Sequence, residues 1–118
     1  FPKLKLGICH LLAPMKGREQ EWRQSLELLK KDNVWFDIAA LPKIEGTDVY
    51  PYPKVCKIIK EATEILGADK LMWGTDAPYA AVQDTYGHLS DYLEKTDILS
   101  NKEIEDIYYN NAYEVYFS

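Results

Sequence analysis

Apolar residues recur along this chain at two alternating periods. In "KLKLGIC", residues 3–9, Leu4, Leu6 and Ile8 fall at every second position and His10 follows, which predicts a strand. "HLLAPMKG" then holds Pro14 and Gly17 and reads as a loop. From about Arg18 to Lys31 the spacing of Trp22, Ser25, Leu26, Leu28 and Leu29 turns helical. Glu19 and Glu21 sit in its first turn and Lys30 and Lys31 in its last, each sign suited to the helix dipole.

The alternation repeats twice. "NVWFDIAAL", residues 33–41, is β-branched and aromatic and predicts a second strand. "PKIEGTDVYPYP" reads as a loop, and a helix follows from about Pro53 to Leu66. Its apolar side is Val55, Ile58, Ile59, Ala62 and Leu66, Pro53 suits the first helical position, and Gly67 stands where a left-handed C-cap belongs. "KLMWGTD", residues 70–76, predicts the third strand. A helix from about Val82 or Asp84 to Glu94 would bury Leu89, Tyr92 and Leu93. "SNKE", residues 100–103, has capping-box spacing, so Ser100 opens a last helical segment carrying Ile104, Ile107 and an aromatic tail.

This β-α-β-α-β-α order, with strand ends near residues 10, 40 and 76, is the spacing of βα units. It predicts an α/β fold with a parallel sheet and right-handed crossovers. No Ser/Gly linker divides the chain, so residues 1–118 form one unit.

Composition narrows the function classes. Apolar residues make up 47% and the net charge is −5, which argues against nucleic acid, since phosphate binding needs a concentrated basic face. No stretch approaches the roughly 20 apolar residues of a membrane span, and no signal peptide is visible. Cys9 and Cys56 form no CxxC pair and read as buried free thiols, which suits a reducing, cytoplasmic setting. The chain opens on Phe1 and runs almost at once into a strand, which suggests a processed or truncated polypeptide.

In parallel α/β folds functional side chains gather at the carboxyl ends of the strands. His10 closes the first predicted strand, Asp37 lies near the end of the second, and Asp76 closes the third. By parity His10 continues the face of Leu4, Leu6 and Ile8, and Asp76 that of Met72 and Gly74. Gly74, having no side chain, would let neighbouring groups approach closely.

"FPKLKLGICH", "NVWFDIAAL", "LMWGTDAPY" and "YYNNAYEVYF", in that order, resemble the C-terminal part of the amidohydrolase-2 family of metal-dependent hydrolases and decarboxylases. The resemblance implies a (β/α)8 TIM barrel, of which this chain would supply about strands six to eight, because a complete barrel needs about 200 residues or more. It implies that Asp76 matches a strand-eight aspartate that binds the metal or the attacking water. His10 would match a strand-six histidine, a metal ligand in some members and a water-activating base in others. Asp37 has no firm family role and is taken as structural. The implied cofactor is a divalent metal, zinc or manganese, and the implied substrate a small carboxylate-bearing molecule.

The family's His-x-His pair and strand-five histidine have no counterpart here, and its glycines after the strand-six histidine are replaced by Leu11 and Leu12. This chain therefore holds at most part of a site, and alone it is expected to be inactive. Its partners would be the remainder of the barrel or copies of itself.

Rival readings stand beside these. Asp76 could bond backbone in the turn before Pro78, and His10 could be a satisfied strand-end histidine. His88 reads as surface. A non-catalytic α/β module that self-associates, or packs on a partner, would share the pattern, whereas a flavodoxin-like domain would want a glycine-rich phosphate loop. The tyrosine-rich tail is too acidic for base stacking and reads as a helix closing over the barrel bottom or wall. Asn110 and Asn111 would cap or turn between two short helices. Trp22, Trp35 and Trp73 read as core, and Tyr50 and Tyr52 sit on a loop that could line a pocket mouth.

Overall fold

A computed structural model describes residues 4–14, 17–39, 41–74 and 91–117. Three strands, β1 (Leu6–Ile8), β2 (Val34–Asp37) and β3 (Leu71–Met72), form a parallel sheet in that order. The described helices are α1 (Glu19–Leu29), α2 (Leu41–Glu45), α3 (Pro53–Leu66), α4 (Asn101–Glu105) and α5 (Asn111–Phe117). The predicted parallel α/β order is present, with strands shorter than their apolar runs.

Register sorts the side chains into two faces. Leu6 pairs with Val34 and Ile8 with Phe36, which in turn pairs with Leu71, so these share one side. Val34, Phe36, Ile38 and Leu71 join one buried cluster with Trp22 and Leu26 of α1 and Val55, Ile59, Ala62 and Leu66 of α3. Each Val, Leu, Ile or Phe among them contributes about 1.5–3 kcal/mol by leaving water, and this packing holds the helices on the sheet. Gly7, Trp35, Asp37 and Met72 occupy the opposite face.

Most helix expectations hold. α3 spans Pro53–Leu66 with Pro53 at its start; Gly67 follows at φ 96°, a value that favours glycine, but its ψ of 142° makes it an extended turn rather than the left-handed C-cap expected. Asp48 caps α3 from the preceding loop, one oxygen accepting from Lys54 N at 2.7 Å and Val55 N at 3.0 Å. The Ser100 capping box has both bonds: Glu103 N donates to Ser100 Oγ at 3.1 Å and Ser100 N to Glu103 Oε1 at 2.9 Å.

Other expectations need correction. Leu28, assigned to the stripe of α1, is 75% exposed, because the buried side of that helix is carried by Trp22 and Leu26. α2 lies in the stretch read as loop, being too short to show a period. Cys9 is exposed, since β1 ends at Ile8 and the chain turns there, whereas Cys56 is buried and its thiol is pushed up to about 11 by desolvation. The predicted helix before Glu94 falls largely on residues 75–90, outside the described residues; its end, a 3-10 turn at Tyr92–Lys95, does bury Tyr92 and Leu93.

The tail runs as one helical stretch in which a π-helical segment, Asp106–Asn110, joins α4 to α5. No turn separates the two asparagines, contrary to the reading of Asn110 and Asn111. Asn110 bonds Asp106 at 2.8 Å, while buried Asn111 donates from Nδ2 to Ala68 O at 2.6 Å and Leu71 O at 2.7 Å. The Ile107 carbonyl accepts from Trp73 N at 2.8 Å. Met72 O faces β2, where it accepts from Ile38 N at 2.9 Å, so Leu71 O and Trp73 N lie on the outer edge of β3. The tail thus covers the edge of β3. It then reaches the amino-terminal end of β1, where Lys5 Nζ donates to Glu114 O at 3.2 Å and Val115 O at 3.3 Å.

Candidate functional site

At the carboxyl end of β1 the alternation stops. His10, Leu11, Leu12 and Ala13 have φ values of 55°, 50°, 59° and 48°, a left-handed turn built without glycine. His10 therefore does not continue the Leu4–Leu6–Ile8 face, and the parity inference fails there. Leu11 and Leu12 stand where the family resembled above carries glycines, and the positive φ is the physical reason glycine suits those positions. Each L residue in this conformation costs about 1–2 kcal/mol.

Several contacts offset that cost. Leu11 is fully buried, and its carbonyl accepts from Trp22 Nε1 at 2.9 Å. Ala13 N donates to His10 O at 2.8 Å, closing the turn. His10 N donates to Asp37 Oδ1 at 2.8 Å, and the same oxygen accepts from Ala39 N at 3.2 Å. One carboxylate oxygen therefore joins the segment after β1 to the bend after β2. The sequence reading placed Asp37 at this rim but saw no partner for it; the signal was a carboxylate closing a buried strand.

Beside this bend the chain leaving β3 comes close. A Cβ at Gly74 would lie 3.0 Å from Ala39 Cβ, so the expected close approach at Gly74 is real. Asp76, with Thr75, Pro78 and His88, lies outside the described residues, and its relation to His10 is not part of the described geometry. Among the described residues no three His, Cys, Asp or Glu side chains gather to hold a metal ion. His10 and Asp37 meet at the rim, but one Asp37 oxygen is engaged by two backbone N–H groups, and a catalytic zinc site uses three protein ligands. The described residues do not fit a metal centre by themselves.

Tyr52 is not at a pocket mouth. It is buried, edge-on to Tyr92 at 5.4 Å and to Tyr50 at 6.1 Å, because the bend at Tyr50–Tyr52 turns it into the core. Tyr50 is half-buried and donates to Asp91 Oδ1 at 2.8 Å. Trp73 continues the aromatic cluster, 5.3 Å from Tyr92 and 4.5 Å from Tyr108. Burial raises the phenols of Tyr92 and Tyr108 above their usual range. Separately, a cavity of about 180 Å³ between α1 and α3 is lined by Trp22, Arg23, Lys57, Ile58 and Glu61 among others, and includes neither His10 nor Asp37.

Parallel strands whose carboxyl ends carry His10 and Asp37, with a tail folded along β3, belong to a chain that matches a known family. Residues 1–117 fit the amidohydrolase model, and the chain belongs to the amidohydrolase-2 family. It is 28% identical over 98 residues to an L-fucono-1,5-lactonase of Burkholderia ambifaria, a match covering 78% of this chain and 31% of that protein. Among solved structures, an amidohydrolase of Burkholderia multivorans with bound zinc aligns with a TM-score of 0.68 at 18% identity, covering 96% of this chain and 44% of the other. A candidate 2-pyrone-4,6-dicarboxylic acid hydrolase of Pseudomonas putida aligns with a TM-score of 0.73 at 20% identity, covering 96% and 43%. The chain thus spans less than half the length of these relatives, and at such identities the solved structures establish a shared fold. Among the described residues no helix is long and apolar enough to cross a membrane.

Proposed function

We propose that this chain is the part of an amidohydrolase barrel carrying strands six to eight, and that the complete protein hydrolyses a small, carboxylate-bearing cyclic ester. Water adds to the ring carbonyl, the ring C–O bond breaks, and the ring oxygen leaves as a hydroxyl, giving a hydroxy acid that releases one proton. Two of the relatives support the substrate class: a 1,5-lactone and a 2-pyrone are both six-membered cyclic esters, and both proteins are named for hydrolysis rather than decarboxylation. The observation that carries the reading is the fixing of His10 by Asp37 at the carboxyl ends of parallel strands, where such folds keep their chemistry. In this reading His10 and Asp76 take protons from the attacking water or ligate a divalent metal, zinc or manganese, whose other ligands lie outside this chain. A general base of this kind contributes about 10²–10⁴-fold.

Acid release from six-membered lactones by the complete protein tests the proposal. His10→Ala and Asp76→Asn should each lower kcat at least about a hundredfold. Metal analysis should find one or more divalent ions per chain, removable with loss of activity. The 118-residue chain alone should give no turnover. Undiminished turnover in both variants, or activity in the isolated chain, overturns the assignment.

One observation favours a second reading, a non-catalytic module that pairs with copies of itself or another chain. β1 is an edge strand, and Leu4 and Leu6 beside it are 53% and 48% exposed. In the leading reading strand five of the barrel covers that edge, and strand one takes the place of Ile107 and Asn111 along the outer edge of β3.

A further inference from the structure

We infer that Asp37 is the positioning residue of this site: it holds His10 in place by accepting the histidine's main-chain N–H rather than by acting on substrate. The inference deepens the hydrolase reading above and rests on it for its kinetic consequence, but its structural consequence stands alone.

Five observations lead there. His10 begins a run of four L residues at positive φ, a conformation that persists only where surrounding contacts over-determine it. Two of those contacts, the Leu11 carbonyl with Trp22 and the Ala13 N–H with the His10 carbonyl, hold the later part of the turn. Only the Asp37 bond, at 2.8 Å, reaches the N–H of His10 itself among the described contacts. Asp37 sits at the last position of β2, in register with Met72 of β3, so the rigid middle of the sheet sets its place. Because the same oxygen takes the Ala39 N–H at 3.2 Å, the histidine and the bend facing Gly74 are fixed to one atom. Loss of that atom frees both sides of the rim together.

The role requires an acceptor and not a charge, and this separates it from catalysis. Asp37→Asn keeps an oxygen that can accept both N–H groups, whereas Asp37→Ala keeps none. In the complete protein, with ¹⁵N-histidine labelling and His10 assigned by its loss in His10→Gln, Asp37→Ala should accelerate exchange of the His10 amide at least tenfold and shift its imidazole signals. Asp37→Asn should leave both within threefold of the parent. On a lactone substrate Asp37→Ala should lose tenfold or more in kcat with KM little changed, and Asp37→Asn should recover most of it. An unchanged His10 amide in Asp37→Ala overturns the inference, as does an Asn variant as impaired as the Ala variant. If no lactone is turned over by the parent protein, the hydrolase reading falls while the exchange measurement still decides the role of Asp37.

Discussion

Asn111 offers the most direct check of how the tail is held. Its side chain is buried and donates to the carbonyls of Ala68 and Leu71, bracketing the start of β3. Asn111→Ala removes two hydrogen bonds, each with a net contribution of about 0.5–1.5 kcal/mol. Leu71 is fully buried, so its carbonyl loses its partner out of reach of water, adding about 1–3 kcal/mol. The better helix propensity of alanine returns about 0.5 kcal/mol. Added without cooperativity, these terms give an expected net loss of about 1.5–5.5 kcal/mol. Asn110→Ala is the internal control: it carries the same propensity gain and loses one bond, to Asp106 near the surface, so it should stay within about 0.5 kcal/mol of the parent. Urea unfolding of the 118-residue chain, followed by circular dichroism and extrapolated linearly to water, reads both variants. If Asn111→Ala falls within about 0.5 kcal/mol of Asn110→Ala, the tail is not held by this clamp and the reasoning fails.

Four other outcomes are expected. The Tyr92 hydroxyl is buried and makes no hydrogen bond among the described residues, so Tyr92→Phe should be neutral or stabilising by up to about 2 kcal/mol; a clear loss in urea unfolding would contradict that. Cys9 should react with a thiol reagent at pH 8 in the folded protein while Cys56 waits for denaturation, as read by peptide mapping. Because the folded Cys56 thiol titrates at about 11, against a usual 9.0, the unfolded chain loses that proton first, and stability should decline as pH rises between those values and be unaffected by this group below them. Gly74→Ala should cost about 1–3 kcal/mol by pushing its methyl against Ala39, and Gly17→Ala, with open space around its Cβ position but φ at 86°, serves as a comparison whose cost is backbone strain alone.

Much of this protein was legible in residue order because the interactions concerned are local or periodic. The stripe of α3, its proline start and the Ser100 capping box depend on neighbours three or four positions apart, and all are present. Parallel order followed from alternating strands and helices, since such a crossover packs only one way. The same alternation misled at His10, where period two was carried through a residue whose φ had already changed sign. It misled again at Cys9, taken as interior because its neighbours are apolar, and loop position misled at Tyr52, which could have lined a pocket mouth but is buried in the core.

The candidate site divides along the same line. Two of its described ingredients, His10 and Asp37 near two strand ends, and its family were legible in sequence alone, because motif order and spacing survive without any knowledge of packing. Only the tertiary structure decided that Asp37 grips the backbone of His10 and that Asn111 is a clamp rather than a cap. These partners lie 27 and 40 residues apart, and a hydrogen bond over such a span is set by how the sheet and tail pack, not by any local preference a string of residues can express.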